Sequence, residues 1–510
     1  MPRPLLPESW DEETDVVVVG CGYAGAVAAI SAFDAGARAI VLEKMPDPGG
    51  ISVCSAGGVR VADDAGEALA YLRRTNGATA PEPVLRALAE GMTEVETFVR
   101  ALGAASGAVV SRRAAAGNYP FPGHRTFGFV YVDDVPGIDT ARAYPQVRGA
   151  RAGALLFHVL QDNLRRRQID LRTDTPARRL LADASGSVRG VLAEVDGRSR
   201  SIRARRAVVL ACGGFEGDDG MKAQFWQGTP VLSAAVRSNT GDGIRMAQEL
   251  GAELWHMWHY HGSYGFRHPD PAYPYGIRTK RLPDWLPGEG PRGDVVMTWI
   301  VVDRAGRRFM NEYPPYLQDT GARPLEPYDA DRQRFSRIPC WLITDEAGRK
   351  RYPLGRPTYH DRAMRFDWSA DNSAEVKLGI LRQARSLPEL SAAMGVDPAI
   401  LADTIARWNR ACAAGTDTEF DRPPSSMMAI EQPPYYAAEL WPIVSNTQGG
   451  PRHDEAQRVI DVFGAPIPRL YAAGELGSAF GHLYMSGGNI AECFVGGQIA
   501  GRKAAEESPA

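Results

Sequence analysis

Apolar residues come in short unbroken runs near the N-terminus: Asp15-Val-Val-Val-Val-Gly20-Cys-Gly22-Tyr-Ala-Gly25, alanine-rich sequence to Ala35, then Ala39-Ile-Val-Leu-Glu43-Lys44. Short apolar runs separated by glycines and small residues predict strand, glycine turn, helix and strand. Similar patterns recur far downstream. Ala204-Arg-Arg-Ala-Val-Val-Leu-Ala-Cys-Gly213-Gly214-Phe215 reads as a buried strand entering a glycine turn, and Thr240-Gly241-Asp242-Gly243 opens a helical stretch to Leu250. Arg469-Leu-Tyr-Ala-Ala-Gly474-Glu475 is again strand plus turn, and Ser486-Gly-Gly-Asn489 opens an amphipathic helix to about Ala505. Between about Ala252 and Tyr436 the texture shifts to Trp, Tyr, His and Pro. The pattern predicts an α/β chain in which residues 1–251 and 437–510 build one Rossmann-like domain and residues 252–436 an inserted α+β cap.

The first glycine run has a mechanical reading. Gly20 makes the turn, Gly22 lets backbone reach a pyrophosphate, Gly25 lets helix and strand pack closely, and Glu43 at the end of the second strand accepts ribose hydroxyls. In its strand-turn-helix context this is a dinucleotide site, with Tyr23, Ala24 and Lys44 inside it.

Composition narrows the function classes. At 510 residues the chain exceeds one ordinary core, and a net charge of -3 argues against nucleic acid or an anionic membrane as main partner. The six cysteines are scattered without a C-x-x-C pair, so neither a disulfide framework nor a zinc or iron–sulfur site is expected, and a cytoplasmic setting fits. Met1 to Thr14 is Pro- and acid-rich, unlike a signal peptide, and no apolar run is long enough to predict a transmembrane segment. His256, His259 and His261 form an H-x-x-H-x-H cluster, but no adjoining carboxylate or cysteine completes a metal site, and strand alternation would turn His256 away from the other two.

Further motifs join the first: Gly49-Gly50-Ile51-Ser52 with Ser55-Ala56-Gly57-Gly58, Gly306-Arg-Arg-Phe-Met-Asn-Glu312, Ala472-Ala-Gly-Glu475 and Ser486-Gly-Gly-Asn489. Together and in this order they resemble the fumarate reductase/succinate dehydrogenase flavoprotein superfamily over almost the whole chain. The resemblance implies a Rossmann-like FAD-binding domain of the glutathione-reductase type with an inserted catalytic cap. It implies FAD with Gly50, Ser52, Ala56 and Gly57 along pyrophosphate and flavin, Ala177 near the adenine, Glu475 on the ribityl chain, and Asn489 and Ile490 at the isoalloxazine ring. Ile51, Gly58, Gly213, Gly214, Asp242 and Gly488 fall within the same cofactor motifs. No counterpart of the histidine that attaches FAD covalently in respiratory members stands out, so non-covalent FAD is expected. The N-terminal end of the last helix, with free N–H groups and partial positive charge, suits the reduced flavin.

Where fumarate reductases present His-His-Thr-Met-Gly-Gly and Arg-Leu-Gly-Gly-Asn, this chain has Ser445-Asn446-Thr447-Gln448-Gly449-Gly450 and Met485-Ser486-Gly487-Gly488-Asn489. A buried dicarboxylate would lack those cations, which disfavours fumarate. Tyr484-Met-Ser486-Gly-Gly and Asn311-Glu312-Tyr-Pro-Pro-Tyr316 instead look like the 3-ketosteroid dehydrogenases, and the first looks more like the branch that desaturates the 4,5 bond, Δ4-(5α), than the 1,2 bond.

By that match Tyr316, Tyr484 and Ser486 are the catalytic candidates. Tyr316 is assigned the α-proton, and Tyr484 with Ser486 and the Gly487 N–H the ketone; the two tyrosine roles are interchangeable at this level. Bland alternatives stand beside them: tyrosines packed at a domain interface and a serine that caps its helix. Tyr119, in Gly117-Asn-Tyr-Pro-Phe-Pro, is a candidate pocket wall or a loop-packing residue. Trp255, Trp258, Tyr260, Tyr264, Phe266, Tyr273, Tyr275, Trp285 and Trp299 line a pocket only in part, since the cap needs a core of its own. The leading expectation is an FAD-dependent 3-ketosteroid Δ4-dehydrogenase with a small apolar ketone as substrate and an external electron acceptor. An ene-reductase of a conjugated enone, a Δ1-dehydrogenase and an electron-carrier subunit are the alternatives.

Overall fold

The computed structural model describes residues 6–147, 151–359 and 364–510; the N-terminal reading at Met1 to Leu5 lies outside them. The valine run becomes strand Glu12–Val19, flanked in parallel by Ala39–Leu42 and Arg198–Leu210. Asp170–Arg172 extends the parallel sheet on one side and Pro466–Ala472 on the other, with Arg458–Ile460 antiparallel at that edge. Residues of both chain ends thus share one sheet. The near-continuous apolar strands reflect cover on both faces, by helices on the Val16 and Val18 side and mainly by strands Ala177–Ala182 and Val188–Val195 on the Val17 and Val19 side, so that Val16 to Val18 are fully buried.

Helices Tyr23–Asp34 and Gly488–Glu506 cross tightly on one face of this sheet. Small residues allow the approach: a Cβ on Gly25 would sit 1.9 Å from the Gly20 carbonyl oxygen, and one on Gly501 2.2 Å from that of Ala28. The last helix is thereby held with its N-terminal end at the mouth of the glycine turn.

A second sheet carries strands Ile300–Val302, Cys340–Asp345, Tyr435–Thr447, Tyr260–Phe266, Ile277–Thr279 and Gly355–Arg356 in that order. Strand Tyr435–Thr447 lies wholly in it, running past residue 436, and Leu232–Ser233 also pairs with that strand. On one face Tyr264, Phe266, Trp299, Tyr313 and Leu342 form a core; on the other, helices Leu387–Met394 and Pro398–Ala414 cover Ile300, Trp341 and Ile343. Most cap aromatics therefore serve the cap's own core, while Trp258 is 47% exposed.

The Gly306–Glu312 motif has a structural task. Arg308 bonds Glu312 at 2.9 Å and Asp417 at 2.8 Å, Arg422 lies 3.3 Å from Glu312, and both guanidinium groups stack on Trp408. This buried network fixes the chain that delivers Tyr316.

Candidate functional site

A cleft of about 740 Å3 opens along the carboxyl ends of the parallel strands, where such folds take nucleotides. Of the residues assigned to a cofactor, Gly20, Gly22, Tyr23, Ala24, Glu43, Lys44, Gly50, Ile51, Ser52, Ala177, Gly213, Asp242 and Glu475 line it. Glu43 is oriented by N–H groups of Cys21 and Met45 at 3.0 and 2.9 Å. Lys44 closes one rim on Asp242 at 2.7 Å. The Tyr23 N–H donates to Ser52 Oγ at 2.9 Å, and a Cβ on Gly22 would stand 3.1 Å from that oxygen.

Gly25, Ala56, Gly57, Gly58, Gly214, Gly488, Asn489 and Ile490 do not line this cleft. Gly25 packs beneath the turn, and Gly214 sits under Thr447, whose Oγ1 a Cβ there would meet at 1.7 Å. Gly58 abuts Gly487, so the Gly57–Gly58 and Gly487–Gly488 segments meet back to back. Ala56 is exposed, and Ile490 is partly buried against the large core.

The cleft suits FAD on its own chemistry. Glu475 accepts from the Thr447 N–H at 2.6 Å and its hydroxyl at 2.9 Å with Oε1, while Oε2 is buried without a partner, as is Oε2 of Glu216. Burial pushes Glu475 up to about 7 and Glu216 upward too; the Glu475 charge raises Glu216 further, whereas hydrogen bonding to Thr447, Gly214 and Glu216 eases Glu475 down. Orphaned acceptors of this kind fit the hydroxyls of a ribityl chain.

Beyond the cleft, Tyr316 and Tyr484 stand on either side of His261, with ring centroids 6.0 and 4.3 Å from the imidazole. Both tyrosines are buried. His261 Nδ1 lies 3.0 Å from the amide oxygen of Asn446, which can only accept, so Nδ1 carries the proton and Nε2, 3.3 Å away, accepts from the Tyr316 hydroxyl. Burial drives His261 down to about 3, keeping it neutral. Asn446 passes its amide to Asn489 Oδ1 at 2.8 Å, and the Asn489 N–H donates to the Tyr484 oxygen at 3.3 Å. Asn489 is further pinned by Gln448, Ser478 and Glu492, the last pushed up to about 8 by burial.

Ser486 does not cap the last helix. Gly487, at φ +77°, holds the N-cap position, while the Ser486 N–H bonds Asn118 at 2.8 Å and its carbonyl accepts from Arg60 at 2.9 Å. Arg60 is itself buried, stacked on Phe129, and lowered to about 10 by burial. Tyr119 packs edge-on against Tyr316 and its hydroxyl bonds Asp319.

Sequence reading missed His261, Asn446, Asn118, Arg60 and Asp319 in these roles. Asp319 is 2% exposed, accepts the Tyr484 N–H at 3.1 Å and lies 3.5 Å from His259, so it ties the two tyrosine segments together. Its position one helical turn after Tyr316, on helix Leu317–Thr320, was the available signal. The histidine cluster also departs from strand alternation: the strand begins at Tyr260, and His256 sits in a turn at φ +48°, stacked on Trp255. Among the described residues no group of His, Cys, Asp and Glu converges as for a metal.

A dinucleotide cleft at the strand ends, with a buried tyrosine pair beyond it, is the arrangement of a flavin-dependent oxidoreductase. The FAD binding domain family matches residues 15–490, and the chain belongs to it. The chain is 29% identical to a fumarate reductase (cytochrome) of Shewanella frigidimarina, over 99% of this chain and 79% of that one. It is 27% identical to a 3-oxosteroid 1-dehydrogenase of Mycobacterium tuberculosis, over 98% and 99% of the two chains. The crystal structure of 3-ketosteroid delta1-dehydrogenase from Sterolibacterium denitrificans, in complex with 1,4-androstadiene-3,17-dione, superposes with a TM-score of 0.80 at 24% identity, covering 97% of this chain and 99% of that one. The protein is thus an FAD-dependent oxidoreductase of the fumarate reductase and ketosteroid dehydrogenase family. No helix among the described residues is long and apolar enough to cross a membrane.

Proposed function

We propose that this protein desaturates a cyclic ketone at its α,β carbons, as a 3-ketosteroid Δ4-dehydrogenase with non-covalent FAD, residues 252–436 forming the cap over the substrate. The observation that carries the reading is the opposite hydrogen bonding of the two phenols. The Tyr484 oxygen receives the Asn489 N–H, so its own proton is free for a ketone oxygen. Tyr316 donates to His261, so its lone pairs are free to take the α-proton while its own proton passes to Nε2; burial disfavours the imidazolium, so this transfer is tied to the enolate charge that develops beside it at Tyr484. FAD, when bound, supplies the hydride acceptor.

Each phenol is held neutral by burial, and Tyr316 also by the nearness of Tyr484, Asp284 and Asp319. Ionisation of one opposes ionisation of the other. Backbone N–H groups at Gly487 and Asn489 and the Arg60 charge ease negative charge at Tyr484, the polarity a developing enolate needs beside it. With Met485 in place of the arginine and Ser445-Asn446 in place of the histidines, the fumarate clamp lacks its cations, which favours a ketone over a dicarboxylate. The free cysteines fit a cytoplasmic setting with an external electron acceptor.

The Tyr484-Met-Ser486-Gly-Gly form supports the 4,5 bond, and the likeness to 3-oxosteroid 1-dehydrogenases favours the 1,2 bond as second reading. Turnover of a 5α-reduced 3-ketosteroid with an artificial acceptor, followed by chromatography, separates them. A 4-ene product supports the proposal; a 1-ene product overturns its regiochemistry.

A further inference from the structure

The second sheet places an arginine that has no counter-ion among the described residues over the same site. In its register Gly265 lies opposite Arg278, and Arg278 opposite Arg356. Directly opposed residues share a face, and alternation along Tyr260–Phe266 puts His261, Ser263 and Gly265 on it as well. The opposite face holds Tyr264, Phe266 and Ile277 in the cap core. Arg278 therefore projects from the side on which His261 meets Tyr316 and Tyr484. Gly265 leaves no side chain beside it.

The neighbouring cations are accounted for: Arg281 pairs with Asp284 at 3.0 Å, and Lys280 lies over the Tyr352 ring. Arg278 and Arg356 differ. Among the described residues no carboxylate lies within the 4.0 Å of an ion pair from either, and Arg278 Nε is sealed from solvent with no hydrogen-bond partner. The charge of Arg278 reaches Cys54, His261 and Tyr316, which places it over the cofactor and tyrosine side of the cleft, and burial lowers it to about 10. A guanidinium with a sealed, unpaired N–H is costly to hold, and its planar fork matches a carboxylate.

We propose that Arg278, with Arg356 beside it, binds a carboxylate of the substrate, so that the ketone taken by this site is a cyclic keto acid. This rests on the ketone reading above and specifies its substrate class. The carboxylate sets the ring's orientation from the cap side, while the ketone oxygen takes the Tyr484 proton.

The test compares keto acids of two sizes, an oxocyclohexanecarboxylate and a 3-keto steroid with a carboxylic acid side chain, each against its own methyl ester, by kcat/KM on the FAD-loaded enzyme. For at least one pair the acid is preferred by about 10- to 100-fold, the worth of a charge-assisted pair. In Arg278→Met that preference falls to about 1, with FAD content and unfolding midpoint checked alongside. Equal values for acid and ester in both pairs of the wild type overturn the inference while leaving the ketone reading intact. A preference unchanged in Arg278→Met, with the flavin midpoint potential shifted, puts the guanidinium on the cofactor and also overturns it. Turnover of no ketone, acid or ester, sinks the ketone reading and the inference with it.

Discussion

Replacing Asp319 by Asn tests whether the two tyrosines are positioned as one unit. Asp319 accepts the Tyr484 N–H and the Tyr119 hydroxyl and faces His259, all out of solvent. Burial alone would push its carboxyl up, but the contacts with His259, Arg323 and Tyr119 hold it below its usual 3.8. A carboxylate whose folded pKa is depressed contributes stability above its unfolded pKa and loses it as pH falls through the folded value. Both donors share Oδ2, so the Asn oxygen can keep both bonds but gives up their charge assistance, a loss of about 1–2 kcal/mol at neutral pH. Urea unfolding should show that loss at pH 7 and a smaller difference below about pH 4, where Asp319 of the unfolded chain begins to protonate while the folded one is still ionised. With the Tyr484 segment loosened, kcat should fall by about 10- to 100-fold at unchanged FAD content, since small misplacements cost that much. A variant with wild-type kcat and an unaltered acid limb of stability would refute the positioning role.

Further outcomes follow from the same geometry. His261 is neutral down to about pH 3 and both phenols are raised, so none of the three should give kcat of desaturation a limb between about pH 5 and about pH 10, where Glu475 and Glu492, at about 7 and 8, are the site groups that titrate; a limb in that range that vanishes in His261→Gln would contradict the relay. Gly22→Val should yield apoprotein, because its side chain enters the cleft beside Ser52, with the ratio of flavin to protein absorbance as readout. In wild type, acid precipitation should release all the flavin to the supernatant, as non-covalent binding requires. Arg308→Met strands Asp417 in the cap and leaves Glu312 to Arg422 alone, and should cost about 3–5 kcal/mol in urea unfolding, a larger effect than any surface ion pair.

The nucleotide half of the fold was legible because its constraints are local. The Gly20-to-Gly25 spacing and the Glu43 strand end each act within one strand-turn-helix unit, and the structure places them along one cleft. The motif at Gly306 was visible as a motif, but its task was not: Arg308 meets Asp417, and Arg422 meets Glu312, only through the tertiary fold. His261 was read as one of three clustered histidines. Its partners Tyr316, Asn446 and Tyr484 come from separate segments, and no spacing along the chain announces that they converge. Arg278 carried no signal in sequence either, because the lack of an acidic partner among the described residues is a property of the sheet register and of which face turns to the site.

The central claim is tested most directly by anaerobic mixing of the FAD-loaded protein with a saturated 3-ketosteroid, or its carboxylated analogue, while following the oxidised-flavin absorbance. The account predicts rapid bleaching in the wild type and its loss in Tyr316→Phe and Tyr484→Phe, which keep the rings and remove only the hydroxyls. A flavin that stays oxidised in the wild type, or bleaches as fast in both variants, would contradict it.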